Sequence, residues 1–161
     1  MDYGELVLEV GARTGSPNVP QRADYLVRAA EREINRTLRV GQMEKAISIP
    51  TGLSQMPTDL LQARVPNADD APGTLRYYAA LPSVVEGGTN WLLTEDPEIY
   101  VAATMAQVYI VDGEVEKAQA ARAYLAGLIG AMQRADSARR YSTRPVTLTR
   151  LASHLGRRRW T

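Results

Sequence analysis

The sequence predicts a mainly α protein: a helical bundle with a long C-terminal helical hairpin, a small β insert and an extended C-terminal arm. Three observations predict it. Apolar residues recur at helical spacing through several long stretches of the 161-residue chain, glycine and proline crowd the stretch from Thr51 to Gly88, and the last residues, Arg139 to Thr161, hold seven arginines and no acid. The expected layout is a helical domain over 1–137, with a loop-rich insert at about 41–90, and an arginine-rich arm over 138–161.

The elements follow in order. Leu6, Val7 and Val10 sit at helical spacing between Tyr3 and Arg13, and the Gly15-Ser16-Pro17 cluster ends that first helix. After Pro20, Leu26, Ala30, Ile34 and Leu38 recur every fourth residue, with Arg28, Glu31, Arg32 and Arg39 assigned to the other faces of an amphipathic second helix that Gly41 terminates. From Glu44 to Pro50 the residues alternate, which reads as a short strand, and its closing proline places it at a sheet edge. The breaker-rich stretch that follows has room for small pieces: one helical turn at Thr58–Leu61 after Pro57, and a strand at Thr74–Ala79. A two-stranded sheet is expected to join Ile47 to Tyr77.

Thr94-Glu95-Asp96-Pro97-Glu98 combines a capping side chain, a proline for the first turn and acids at the positive helix end. Val101, Ala102, Met105, Val108 and Tyr109 carry that helix to a turn at Asp112-Gly113, and Val115, Ala118, Leu125, Ile129 and Met132 mark its return, a hairpin from about Pro97 to Ala135. Alanines 102, 103, 106, 118, 120, 121, 123 and 126, with Gly127 and Gly130, are expected to let the two backbones approach closely. Trp91-Leu92-Leu93 reads as a plug at the hairpin's base. Pro145 and the alternating Val146-Thr147-Leu148-Thr149 read as extended chain.

Composition excludes several chemistries. With no cysteine there are no disulfides, thiolate metal sites or cysteine nucleophiles. The one histidine, His154, lies in the arm without an orienting carboxylate, no glycine-rich phosphate loop is present, and no His or acid cluster has metal-ligand spacing. The expectation is therefore no enzyme, no metal and no cofactor. The N-terminal residues carry Asp2, Glu5 and Glu9 where a leader would be basic, and no apolar run approaches the roughly 18 residues of a membrane span. Charge is polarised: residues 1–133 hold 17 acids against 11 Lys and Arg, whereas the chain from Arg134 onward holds eight arginines against Asp136.

The ordered strings Asp24-Tyr25-Leu26, Ala29-Ala30-Glu31, Ile34-Asn35-Arg36, Leu38-Arg39, Met43-Glu44 and Met56-Pro57-Thr58-Asp59 resemble the N-terminal half of bacteriophage head-tail adaptor (connector) proteins. Leu75 to Tyr78, Ala80-Leu81-Pro82, Thr89-Asn90-Trp91-Leu92-Leu93 and Pro97-Glu98-Ile99-Tyr100 are similar to that family's most recognisable stretch, so the resemblance covers about residues 3–137. Such relatives often carry a longer β-rich stretch where this chain has only Leu60 to Thr74. The resemblance implies a structural virion protein, made in the host bacterial cytoplasm and placed at the head–tail interface, with no reaction to catalyse. It implies a ring, commonly a dodecamer, beneath the portal protein. The implied partners are the portal, neighbouring adaptor subunits, a downstream tail component and DNA passing through the channel without specific binding, with no membrane.

In that frame the arm is the expected portal ligand. Arg139, Arg140, Arg144, Arg150, Arg157, Arg158 and Arg159 would pair with portal carboxylates, and Val146, Leu148, Leu151 and Trp160 would add contacts. Tyr77, Tyr78, Trp91, Arg36 and Arg39 are the candidate subunit or body contacts, and Arg36 and Arg39 have Glu33 and Glu44 as alternative partners within the chain. One of the two tyrosines should be buried and the other available, because successive strand residues face opposite ways. A second reading stays open at this point: a small helical nucleic-acid-binding or packaging accessory protein whose basic tail holds phosphates, with Trp160 stacking on a base. A third is a merely solvated tail.

Overall fold

Buried apolar side chains converge on the first helix of the C-terminal hairpin, and the rest of the chain is laid around it. In the computed structural model, which describes residues 1–49, 56–65 and 70–142, the elements are α1 (Tyr3–Thr14), α2 (Asn18–Thr37), β1 (Glu44–Ser48), β2 (Leu60–Arg64), β3 (Thr74–Ala79), α3 (Val84–Gly87), α4 (Trp91–Glu95), α5 (Pro97–Val111) and α6 (Val115–Ser142). The mainly helical class, the small sheet and the long hairpin are as expected.

Helix α1 is capped by Asp2, whose carboxylate accepts from the Glu5 amide at 2.8 Å while Glu5 accepts from the Asp2 amide at 2.9 Å. It ends at Gly15, which takes φ +63°, a conformation that favours glycine. Leu6 and Val10 are fully buried. Helix α2 begins at Asn18, earlier than the sequence suggests: Pro20 falls in its first turn, where a missing amide leaves no bond unmade. The backbone then departs from helical geometry at Arg22. Leu26, Val27, Ala30 and Ile34 are buried, and Leu38, the C-cap, closes the helix, so Gly41 is not its terminator. Gly41 instead opens a 3-10 turn, Gly41–Met43, that leads into β1.

The sheet has three strands in the order β1-β3-β2, all antiparallel, with Ile47 facing Leu75 and Lys45 facing Tyr77. The expected helical turn at Thr58–Leu61 is a correction: Thr58 and Asp59 form a turn, and Leu60 begins β2, a strand the sequence did not predict. A bulge between Leu60 and Gln62 breaks the two-residue alternation, which is why no strand pattern is visible there. β1 lies at an edge, as its sequence anticipated.

Helix α5 starts with Pro97 in its first turn. Ile99 to Thr104, Ala106 and Val108 are all buried, so apolar contact surrounds the helix where an amphipathic one would show a wet face. Each large side chain so buried contributes on the order of 1.5–3 kcal/mol. α1, α2, α4 and α6 all pack on α5. Gly113, at φ +78°, turns the chain into α6, and the Glu114 amide donates to the Tyr109 carbonyl at 2.8 Å.

Helix α6 runs on to Ser142, beyond the hairpin end expected near Ala135 and beyond the arm boundary expected at 138. Arg139 and Arg140 therefore stand on its last turn and not in extended chain. Arg144, Val146, Leu148, Arg150, Leu151, His154, Arg157, Arg158, Arg159 and Trp160 lie outside the described residues.

Candidate partner-binding surfaces

Polar side chains on the helices decide where the chain between the sheet and the hairpin can sit. Glu31, buried on α2 at 8% exposure, accepts from the Val84 amide at 2.6 Å and the Ser83 hydroxyl at 3.0 Å. One turn on, the Asn35 side-chain oxygen accepts from the Leu81 amide at 3.0 Å. Asn90 caps α4 by accepting from the Leu93 amide at 3.0 Å, and donates at 2.7 Å to both the Pro82 carbonyl and the Tyr100 hydroxyl. Burial pushes the Tyr100 phenol up, so it stays protonated. Glu31 corrects the sequence assignment to an exposed face. The missed signal was its spacing: four residues after Val27, it falls on the buried stripe.

The second polar cluster ties the end of α6 to the sheet. Glu44, the first residue of β1, pairs with Arg140 of α6 and with Arg64 of β2. Arg140 also meets Asp136 at 2.6 Å, and Asp136 accepts from the Gly41 amide at 3.1 Å. Burial alone would lower the Arg140 pKa, and the hydrogen bonds to Asp136 and Glu44 more than reverse that. A Cβ on Gly41 would lie 3.0 Å from the Arg140 guanidinium and 3.1 Å from Asp136, so a larger residue there would push these two side-chain ends aside by a few tenths of an ångström. Arg140, expected as a portal ligand, pairs within its own body in the free chain. Arg139 is exposed and lines a cleft of about 430 Å³ with Glu95, Asp96 and Asp136. Asp96 stands at the α5 N-cap yet makes no cap bond; burial, and then Glu98, push its carboxyl above the usual range.

The remaining candidates divide by strand parity and by helix face. Tyr77 is buried at 3% exposure, and its hydroxyl donates to Asp59 at 3.1 Å; Lys45 meets the same carboxylate at 2.6 Å and holds its pKa low. Tyr78, on the opposite face, is half-buried beneath two guanidinium groups, Arg64 at 5.3 Å and Arg39 at 5.9 Å from its ring centre. Arg39 also donates to the Asn35 carbonyl at 2.7 Å and to Gln62 at 3.2 Å, so neither Glu33 nor Glu44 is its partner. Arg36 is exposed on the wall of a cleft with Arg32 and Arg122. Trp91 is half-buried against the core, beside the fully buried Leu92 and Leu93, at the foot of α5.

Among the described residues, no group of three or more His, Cys, Asp or Glu side chains is placed to hold a metal ion. No described helix is long and apolar enough to cross a membrane. The described surface carries charged clefts and an arginine-covered sheet face.

No curated protein matches the chain. Residues 63–149 match the SU10 adaptor protein family, a stretch that begins in β2 and takes in β3, the Asn90 staple and the whole hairpin. It spans more than half of the sequence, and the chain belongs to the SU10 adaptor protein family.

Proposed function

We propose that this protein is a structural component of a phage virion that forms a ring on the portal protein and connects the DNA-filled head to the tail. Membership of a phage adaptor family carries the reading. The structure adds three supports. The hub helix α5 spends most of its surface within the chain, which leaves chiefly α1, α2 and α6 to present their outer faces to neighbouring copies. α6 projects to Ser142 and hands the chain to an acid-free segment, so the arginine-rich arm starts from a fixed point at the edge of the body. Glu44, Asp136 and Gly41 anchor that point through Arg140.

In this mechanism the body makes subunit contacts and the arm beyond Ser142 locks onto portal carboxylates by paired guanidinium hydrogen bonds. Raised salt weakens such an arm wherever its pairs are exposed. The opposite face receives the next tail component, and the acid excess of residues 1–133 keeps the body from adhering to passing duplex.

The test is cosedimentation with the portal ring of the same virion, comparing the full chain with one ending at Ser142, which keeps Arg140 and its anchor. Saturable binding near one copy per portal subunit, weakened by truncation, is the expected result. Binding that survives truncation assigns the arm to another partner. Absence of binding by either form, with duplex DNA retained by the full chain, rejects the adaptor reading in favour of a tail that holds phosphates.

A further inference from the structure

Helices α2 and α6 both pack on α5, and a groove runs between them. At one end Arg32 and Arg36 of α2 face Arg122 of α6 over Gln107, enclosing about 530 Å³. The groove continues for about 220 Å³ along Leu125, Ala126, Ile129 and Gly130. Its acid, Glu33, is already engaged by the Gln107 amide at 2.6 Å and by Arg122 at 3.4 Å. Arg32 and Arg36 have no ion-pair partner among the described residues, a basic opening in a body rich in acid. The far end is mostly apolar, and the small side chain of Ala126, which is exposed, leaves room for a backbone to approach.

An occupant that suits both ends carries carboxylates and an apolar anchor on one helix face. A phosphate backbone would satisfy the arginines but offer nothing to the apolar end and would meet Glu33. The chain itself has the required face. Leu6 and Val10 fix α1 in the core, which turns Gly4, Leu8 and Ala12 outward with Glu5 beside them, one of its oxygens accepting from the Asp2 amide and the other left to face a partner. Leu8 is 76% exposed, the most exposed large apolar side chain on any described helix. The lengths agree as well. At about 1.5 Å per residue, the 12 residues of α1 and the α6 wall from Arg122 to Gln133, also 12 residues, each span about 18 Å.

We propose that this groove receives α1 of a second copy of the chain, with Leu8 seated against Ala126 and Ile129 and Glu5 paired with Arg32 and Arg36. The outward face of α1 is turned from its own core and cannot fill its own groove. Donor face and acceptor groove are different surfaces, so the contact is heterologous and passes from copy to copy, as ring closure requires. The proposal rests on the adaptor reading above, which supplies the ring.

The absence of cysteine makes the test direct. The double variant Leu8→Cys with Ala126→Cys, bound to the portal ring and treated with a short bis-maleimide, should give a ladder of dimers, trimers and higher species. Each single variant should give none. Reversal of the groove charge by Arg32→Glu with Arg36→Glu should reduce the ladder about tenfold or more, and Glu5→Arg added to it should restore much of the loss. Circular dichroism checks that every variant folds. Saturable portal binding by a folded double variant without a ladder overturns this interface and leaves the adaptor role standing. Failure of the unmodified chain to bind portal overturns both. Loss of duplex DNA retention on the arginine reversal, with no ladder, makes the groove a phosphate site and also overturns the proposal.

Discussion

The two helices of the hairpin draw on the same small residues and meet opposite surroundings. In α5 the alanines at 102, 103 and 106 are buried, each a place where a neighbouring element comes close. In α6, Ala118 is buried but Ala120, Ala123, Ala126 and Gly127 face outward, so the expectation that all of them serve hairpin packing holds for half. Eight of the 15 residues of α5 are buried, spread round the helix; among the described residues α6 buries Ala118, Leu125 and Ile129 along one stripe. Alanine carries two meanings in a helix: it permits close approach, and it is the residue that favours helix most where nothing touches it. The first meaning makes α5 a hub. The second makes α6 a rod with a free face.

The largest expected effect is therefore at the hub. Ile99→Ala should cost about 2–5 kcal/mol, read as a lowered midpoint in urea unfolding, because a cavity would open at a fully buried core position in the first turn of α5. Leu128→Ala, on a half-buried position of α6, should cost under about 1 kcal/mol. Equal losses at the two sites would break the contrast between hub and rod.

Next in size is Asn90→Ala, which removes the α4 cap and leaves the buried Tyr100 hydroxyl without its partner. A loss of about 2 kcal/mol is expected. Adding Tyr100→Phe should recover part of it, since the stranded hydroxyl leaves with the substitution. If the double variant is as unstable as the two single losses added together, the two side chains do not act as a unit.

Two carboxylates give smaller effects with opposite pH dependence. Lys45 lowers the folded pKa of Asp59, so its stabilisation is present above the unfolded value and is lost as pH falls through the folded one. Asp59→Asn should destabilise at neutral pH and become neutral in acid. Burial raises the folded pKa of Asp96, so its charge opposes folding above that value, and the penalty is gone once pH drops below the unfolded one. Asp96→Asn should stabilise at neutral pH and do nothing in acid. Solvent screening keeps both under about 1 kcal/mol. Parallel pH profiles for the two variants would refute the assigned causes.

What the sequence made legible follows from periodicity. The register of Leu26, Ala30, Ile34 and Leu38, and the Asp112-Gly113 turn, are local patterns that the fold preserves. β2 was hidden because its bulge puts Leu60 and Leu61 in succession on a partly covered side. The Glu31 and Asn35 staples sit inside the strings that carried the family resemblance, yet their partners Val84 and Leu81 are 53 and 46 residues away and no local pattern reports them. Arg140 was read as a free ligand for the same reason, since Glu44 lies 96 residues upstream.

The smallest effect tests the rod itself. Ala123→Leu changes an exposed α6 position to a residue of nearly equal helix propensity, so the stability of the free chain should stay within about 0.5 kcal/mol. A loss above that would mean that the chain already covers this face and that α6 is as enclosed as α5. Unchanged stability with impaired assembly on the portal would place the face between copies, because a bulky side chain obstructs only where another backbone must come near. Unchanged stability with unchanged assembly would confine the inter-copy contact to the groove side of α6, where Ala126 and Gly130 stand.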